Sequence, residues 1–240
     1  MGVIKLGFLH TALHAGCASA VARVIEAHGF EVDYVDLTRG DVKDALFTNQ
    51  LDIYASSWLP MDDDLLNGNY RAVGDLYQPL PSWLSVGDVV IGEDGAVTCD
   101  AIYAAESVRH LYADALQAFK RTSRKDVTII DDEALYHQLN HAAQQNQRVL
   151  VAAMQPHAAF FDARFKLVEA GLLALGTPMR APLLISENLA ECGDPDLFDE
   201  LSEMMLGVKV MSALDYAITV EGVDPEDAAE SWQRGRLIPR

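Results

Sequence analysis

The chain has 240 residues, half of them apolar, and carries 36 acidic against 18 basic side chains for a formal net charge of −18. This length supports one large core or two smaller ones. The acidic field repels nucleic acid and anionic membrane surfaces, so we expect neither as a partner. It attracts small cations weakly, although the ordinary consequence of an acidic surface is solubility.

The chain lacks the sequence motifs of common enzymes and cofactor sites. A GxGxxG turn, a P-loop, a GxSxG elbow and an HExxH helix are all absent. Cys17, Cys99 and Cys192 lie far apart without metal-ligand spacing, which predicts buried thiols and no disulfide framework. We therefore expect no cofactor, no metal and no catalytic activity.

The location of the protein stays open at this level. No apolar run reaches the length of a membrane span, and residues 3–9 are too short for the apolar region of a signal peptide. The chain is periplasmic or extracellular if a signal peptide has been removed, and cytoplasmic otherwise.

The first third of the chain alternates strand and helix. Apolar runs predict strands at 3–9, 31–36 and 52–55, and helical periodicity predicts helices at 12–28 and 38–47. Gly29 stands where a helix ends in a left-handed residue. This βαβαβ order predicts a parallel sheet with right-handed crossovers.

Prolines and glycines accumulate over residues 68–95, which we interpret as a connection between two lobes. The first lobe is predicted to comprise residues 1–88 and 180–240, and the second residues 89–179. Beyond the connection we expect these elements: helix 107–121, strand 127–130, a helix capped by Asp131 that runs to 146, strand 149–153, a return to the first lobe at 182–185, and helices from Pro195, Val210 and Pro225.

Trp58 is the residue that most suggests a ligand site. It follows the third predicted strand, at the carboxyl edge where open α/β sheets bind ligands. An indole face there attracts a cation that has no hydrogen-bond donors, although an aromatic residue in a core or cleft wall is the ordinary interpretation. His10 and Thr11 follow the first strand at the same edge and are candidate ligand residues, and His14, one helical turn after His10, is a candidate for the lining of the cleft.

A metal site is not supported by the remaining polar clusters. His137 and His141 share a helical face, but two ligands make no site, so a solvated face is the better interpretation. The run 62–64 consists of three aspartates without the alternating ligands of a calcium loop, and it predicts a solvated acidic turn or helix start.

Three ordered segments resemble the glycine betaine/choline ABC-transporter substrate-binding proteins. Residues 52–60, DIYASSWLP, are similar to the family segment D-V-(Y/F)-x-x-x-W-(L/F/M)-P. Residues 155–157, QPH, are similar to its G-W-x-P-H-W segment, and residues 220–232, VEGVDPEDAAESW, resemble its terminal G-x-D-P-E-x-A-A-x-x-W helix. The resemblance covers nearly the whole chain.

The resemblance implies an α/β protein of the type II periplasmic-binding-protein class, with two lobes that close on a ligand at a hinge. It also implies that an aromatic box holds a trimethylammonium group and that a membrane permease receives the ligand. By this resemblance Trp58 forms one wall of the box, and Trp83, in the segment 81–83, forms a second wall. His157 either lies at the polar end of the ligand or supports the motif that contains it. Trp232 is expected to pack structurally.

The chain departs from the family pattern around Pro156. Met154 and Ala158 stand where the family has tryptophans. Methionine is polarizable and can contact an alkylammonium group, so Met154 is a candidate ligand residue, but it lacks the quadrupole of an indole. Tyr54 is one candidate replacement, and the others are Tyr103, Phe160 and Phe161. The sequence therefore leaves an alternative open, a homologue that senses a different small metabolite. An enzyme on the same scaffold would need a nucleophile or carboxylate tied to its histidines, and no motif supplies one.

Overall fold

The computed structural model describes residues 2–66, 68–92, 95–168 and 174–237. The chain divides into two compact units, Met1–Pro79 with Met179–Pro239 and Leu80–Pro178. Each unit is built around its own five-stranded sheet. The first unit draws its residues from both ends of the chain, so its sheet is completed only after the second unit has been traversed.

The first unit opens with alternating strands and helices: β1 (Val3–Leu9), α1 (Ala12–Ala27), β2 (Glu31–Leu37), α2 (Arg39–Phe47), β3 (Ile53–Tyr54) and β4 (Tyr70–Tyr77). The first three strands are parallel, because β1 pairs with β2 on one side and with β3 on the other. Leu6 lies opposite both Tyr34 and Ile53 in these two ladders. The predicted βαβαβ arrangement is therefore confirmed.

The second unit contains the following elements in chain order: β5 (Leu80–Val86), β6 (Val90–Ile91), β7 (Val97–Thr98), β8 (Ala101–Ala105), α3 (Glu106–Leu111), α4 (Ala113–Ser123), β9 (Thr128–Ile130), α5 (Asp132–Gln144), β10 (Val149–Gln155) and β11 (Phe165–Val168). Its sheet has the order β11-β5-β10-β8-β9. The strands β8, β9 and β10 are parallel, whereas β5 runs antiparallel to β10 and β11.

The chain then returns to the first unit with β12 (Ala181–Ser186), α6 (Glu187–Cys192), α7 (Pro195–Glu203), α8 (Gly207–Thr219) and α9 (Pro225–Gln233). The strand β12 pairs antiparallel with β3 and with β4, which gives the order β2-β1-β3-β12-β4. Helices from Pro195 and Pro225 were predicted and are confirmed, and each carries an aspartate cap just before its proline.

The helix α1 is fixed at both ends by local chemistry. The Thr11 hydroxyl accepts a hydrogen bond from the His14 backbone N–H at its start. Gly29 follows its end with a φ of +81°, a left-handed conformation that glycine adopts without steric cost. Its middle turns are buried, and it packs against α8 and α9.

Two expectations about local structure need correction. The chain passes from the first unit to the second at Pro79–Leu80, within the stretch 68–95, but most of that stretch is not loop, because it contains the long strands β4 and β5. Its prolines are compatible with strand structure, since Pro79 precedes β5 and Pro81 lies near the start of that strand. The predicted helix 107–121 is divided into α3 and α4 at Tyr112, whose φ of −132° is not helical.

The predicted state of the cysteines holds for two of the three. Cys17 and Cys99 are buried free thiols, and burial raises the pKa of Cys17 to about 12, so that thiol is inert. The side chain of Cys192 lies outside the described residues. In the described parts of the chain, no helix is both long and apolar enough to pass through a membrane.

Candidate ligand site at the carboxyl edge of the first sheet

The carboxyl ends of β1, β2 and β3 meet at one edge of the first sheet. The loop after β1 is tied to both neighbours, because the His10 backbone N–H donates to the Leu37 carbonyl at 2.9 Å. The Leu9 backbone N–H donates to the Ser56 hydroxyl at 3.0 Å. These bonds place the segment that ends at Trp58 beside the start of α1, at the edge where the sequence predicts a ligand site.

The Trp58 side chain is held by a hydrogen bond inside the first unit. Its indole N–H donates to the Tyr77 hydroxyl at 3.0 Å, and only 8% of the residue is exposed. The His14 ring lies against it at a centroid distance of 5.9 Å and a tilt of 49°. Because the single donor of the indole is already used, the ring has only its π face to offer to a ligand.

Asp62 fixes the backbone of Trp58. Its carboxylate accepts a hydrogen bond from the Trp58 N–H at 2.7 Å, and its own N–H donates to the Trp58 carbonyl at 2.9 Å. The Arg39 guanidinium donates to the same carboxylate at 3.1 Å. Burial raises the pKa of Asp62, and the bonds from Trp58 and Arg39 oppose that rise. These contacts close a tight turn that holds Trp58 at the sheet edge.

Of the two predictions for the run 62–64, a helix start is confirmed, since Asp62 directly precedes a 3-10 helix at Asp63–Leu65. The predicted exposure to solvent is wrong at the first residue. Asp62 is buried, whereas Asp63 and Asp64 are exposed as expected. Asp64 pairs with Lys43 at 2.9 Å. Within the described residues, no group of three histidine, cysteine or acidic side chains could hold a metal ion. The three aspartates thus separate into one internal anchor and two surface residues.

The two histidines at this edge occupy different environments. His10 is exposed and pairs with Asp36 at the end of β2. His14 is buried, and burial, with a smaller contribution from Arg39, lowers its pKa from 6.5 to about 3. In the described part of the chain, the Nδ1 atom of His14 and the hydroxyl of Ser57, the residue before Trp58, are buried without a hydrogen-bond partner. His14 is therefore a neutral polar group beside the Trp58 ring.

Thr11 and Tyr54 have structural roles in the first unit. The Thr11 hydroxyl caps α1. Tyr54 is almost fully buried in a cluster with Leu9, Leu37 and Leu184, and burial raises the pKa of its phenol. As a ligand residue, each stays a prediction.

The second unit holds the other predicted site residues near the end of β10. His157 follows the cis Gln155–Pro156 bond and uses both ring nitrogens. Its Nδ1 accepts from the Ala159 N–H at 3.1 Å, and its Nε2 lies 3.2 Å from the Asp132 carbonyl, so we assign the proton to Nε2. These two bonds hold the loop after β10 in shape and tie it to the first residue of α5.

Met154 and Trp83 lie in the core of the second unit. Met154 is 4% exposed and pairs with Pro81 across the sheet. Trp83 is fully buried and its ring packs on Phe119 at a centroid distance of 4.4 Å. Ala158 is fully buried as well. Neither predicted ligand role is tested by these positions, and both remain predictions.

The comparisons agree on the class of fold. Lactococcal OpuAC, whose structure is closed and liganded with glycine betaine, has a TM-score of 0.76 at 17% identity, covering 99% of this chain and 98% of that one. An ABC-transporter choline binding protein in complex with choline has a TM-score of 0.68 at 14% identity, covering 98% and 88%. A glycine betaine/L-proline-binding protein from Borrelia burgdorferi has a TM-score of 0.68 at 16% identity, covering 96% and 92%.

These likenesses define the chain as an α/β protein with the type II periplasmic-binding-protein fold, as predicted. The family described as the substrate binding domain of the ABC-type glycine betaine transport system matches residues 98–234, more than half of the sequence. The chain belongs to this family, and the predicted resemblance is confirmed. No curated protein matches the chain in sequence comparison.

Proposed function

We propose that this chain captures a small quaternary ammonium compound for an ABC uptake system and that Trp58 supplies the aromatic face for the cation. The observation that carries the proposal is that Trp58 is held at two points. Its indole N–H donates to the Tyr77 hydroxyl, and its backbone N–H donates to the Asp62 carboxylate. A ring anchored in this way attracts a trimethylammonium group through its π face, since such a group has no donors or acceptors to satisfy.

The ligand class is supported by the family and by two of its structural relatives. The family profile describes glycine betaine transport, and the relatives hold glycine betaine and choline. We propose glycine betaine, choline or a similar compatible solute as the ligand and a membrane permease as the partner that receives it. Delivery to such a permease is a task for a protein outside the cytoplasmic membrane, and this is the location we propose.

We also propose that the chain has no catalytic step. Capture and release require only a change of affinity, and the family is one of binding proteins. His157 fits this interpretation, because both of its ring nitrogens are bonded to backbone atoms, one to Ala159 in its own loop and the other to Asp132 of α5. His10 fits it too, since it is an exposed residue whose ring is hydrogen-bonded to Asp36.

In a second candidate function, the chain is still a binding protein, but its ligand is a different small molecule. Met154 and Ala158 are buried where the family pattern has tryptophans, so an aromatic box would have fewer rings here. A site with fewer rings binds a quaternary amine more weakly and accommodates other small metabolites. The chain would then sense a metabolite other than a quaternary amine.

Titration calorimetry separates the two candidates. We would titrate the chain with glycine betaine, choline, carnitine, proline betaine and trimethylamine oxide. The first proposal predicts a Kd in the micromolar range, a binding free energy of about −8 kcal/mol, for at least one of them. The absence of heat with all five, together with a thermal shift caused by another metabolite, would establish the second candidate.

A further inference from the structure

The two basic side chains on α2 at the Trp58 edge are each paired with a carboxylate, Arg39 with Asp62 at 3.1 Å and Lys43 with Asp64 at 2.9 Å. The His10 ring is hydrogen-bonded to Asp36, near the end of β2. His14, which lies against the Trp58 ring, is neutral near pH 7 because burial lowers its pKa to about 3. None of these groups offers an unshared positive charge to a ligand carboxylate.

The ion pair closest to Trp58 is asymmetric in its exposure to solvent. The Asp62 side chain is 6% exposed, whereas the Arg39 side chain is 60% exposed. Water and salt screen the field of an exposed guanidinium strongly, and they screen the field of a buried carboxylate much less. A net negative potential therefore remains on the protein side of the pair, at the turn that holds the Trp58 backbone.

We propose that Asp62 is a specificity-determining residue that makes the chain prefer a quaternary ammonium cation without a carboxylate over a zwitterion that carries one. This inference rests on the proposed function, because it assigns a ligand preference to the Trp58 site. The buried carboxylate attracts the ammonium group of both ligands and repels the carboxylate of the zwitterion. Choline and glycine betaine differ in this respect and share the trimethylammonium group.

Variants of two aspartates in the same turn make a matched test. Asp62→Asn removes the buried charge and keeps a side-chain oxygen that accepts the Trp58 N–H. Asp64→Asn removes a charge of the same kind from an exposed pair with Lys43. The Kd values of choline and of glycine betaine would be measured by calorimetry on the full chain, and the ratio of the two is the readout.

The wild-type chain is expected to bind choline about ten-fold more tightly than glycine betaine, and Asp62→Asn is expected to reduce this ratio to about two-fold or less. Asp64→Asn should keep the wild-type ratio. If Asp62 had a purely structural role, Asp62→Asn would weaken the binding of both ligands equally and leave the ratio of their Kd values unchanged. That result would overturn the inference. Equal or tighter binding of glycine betaine by the wild type would overturn it too.

A second variant covers the case in which Asp62→Asn does not fold. Arg39→Gln removes the exposed guanidinium and leaves the Asp62 charge less compensated, so the preference for choline should increase. An unchanged ratio in that variant would also overturn the inference. If none of the five compounds named above produces heat with the wild-type chain, the proposed function fails and this inference with it. If another of the five binds and neither choline nor glycine betaine does, only this inference is overturned. Tighter binding of glycine betaine than of choline would overturn only this inference and leave the proposed function intact.

Discussion

The indole N–H of Trp58 donates a hydrogen bond to the Tyr77 hydroxyl at 3.0 Å, and both residues are buried. Trp58 follows β3, while Tyr77 is the last residue of β4, so the bond spans two strands that are not neighbours in the sheet. It joins the candidate ligand edge to the core of the first unit. The rigidity of the aromatic face thus depends on a residue that no sequence motif marks.

Tyr77→Phe tests the worth of this hydrogen bond. The change leaves the buried indole N–H without an acceptor, so we expect the free energy of unfolding to fall by about 1–3 kcal/mol. Urea denaturation of the wild type, Tyr77→Phe, Trp58→Phe and the double variant measures the effect. Because both single changes remove the same bond, the double variant should lose less stability than their sum, by about 1 kcal/mol. Full additivity would show that the bond contributes nothing.

Two glycines with left-handed backbones provide a matched test of packing at β4. Gly74 has a φ of +63°, and a Cβ there would lie 2.8 Å from the Ser202 carbonyl oxygen. Gly29 has a φ of +81° with open space around it. Gly29→Ala should cost about 1–2 kcal/mol of stability, the strain of the backbone alone. Gly74→Ala should cost clearly more in the same urea titrations; an equal loss would contradict the close approach of β4 and α7.

The buried His14 should make the protein sensitive to acid. Its pKa is lowered from 6.5 to about 3 by burial and then by Arg39. Between pH 6.5 and pH 3, His14 therefore binds a proton in the unfolded chain and stays neutral in the folded chain. The stability associated with neutral His14 is present above pH 6.5 and is lost as the pH falls towards 3. At pH 5 the loss is about 2 kcal/mol.

Urea denaturation at pH 7.5, 6 and 5 checks this expectation. His14→Gln should lose about 2 kcal/mol less than the wild type over that range, because glutamine does not titrate. His141→Gln, a change at an exposed position in α5, should keep the wild-type dependence. Parallel curves for the wild type and His14→Gln would show that His14 takes up its proton in the folded state as easily as in the unfolded chain.

The elements with strong local signals could be predicted from the sequence. The apolar strands of the first unit, the capped start of α5 at Asp131 and the proline starts of α7 and α9 are all local features. The strands β4 and β5 could not be predicted in the same way. Their stability comes from pairing with β12 and β10, which lie far away in sequence, and their prolines and glycines suggest a loop.

The break between α3 and α4 has a similar cause. The Tyr112 ring packs directly against Gly176, a contact between distant segments that helical periodicity does not contain. At the candidate site the sequence identified Trp58 but missed Asp62, Arg39 and Tyr77. An aspartate four residues after Trp58 is a local signal for a closed turn, whereas the Arg39 and Tyr77 contacts require the fold.

The affinity of a Trp58→Ala variant tests the central claim most directly. Calorimetry with the tightest-binding quaternary amine should show a loss of about 2 kcal/mol or more, about 30-fold in Kd, because the variant removes the aromatic face. Trp58→Phe should lose less, and Trp232→Phe, a change in α9, should keep the wild-type Kd. An unchanged Kd in a folded Trp58→Ala variant would contradict the account.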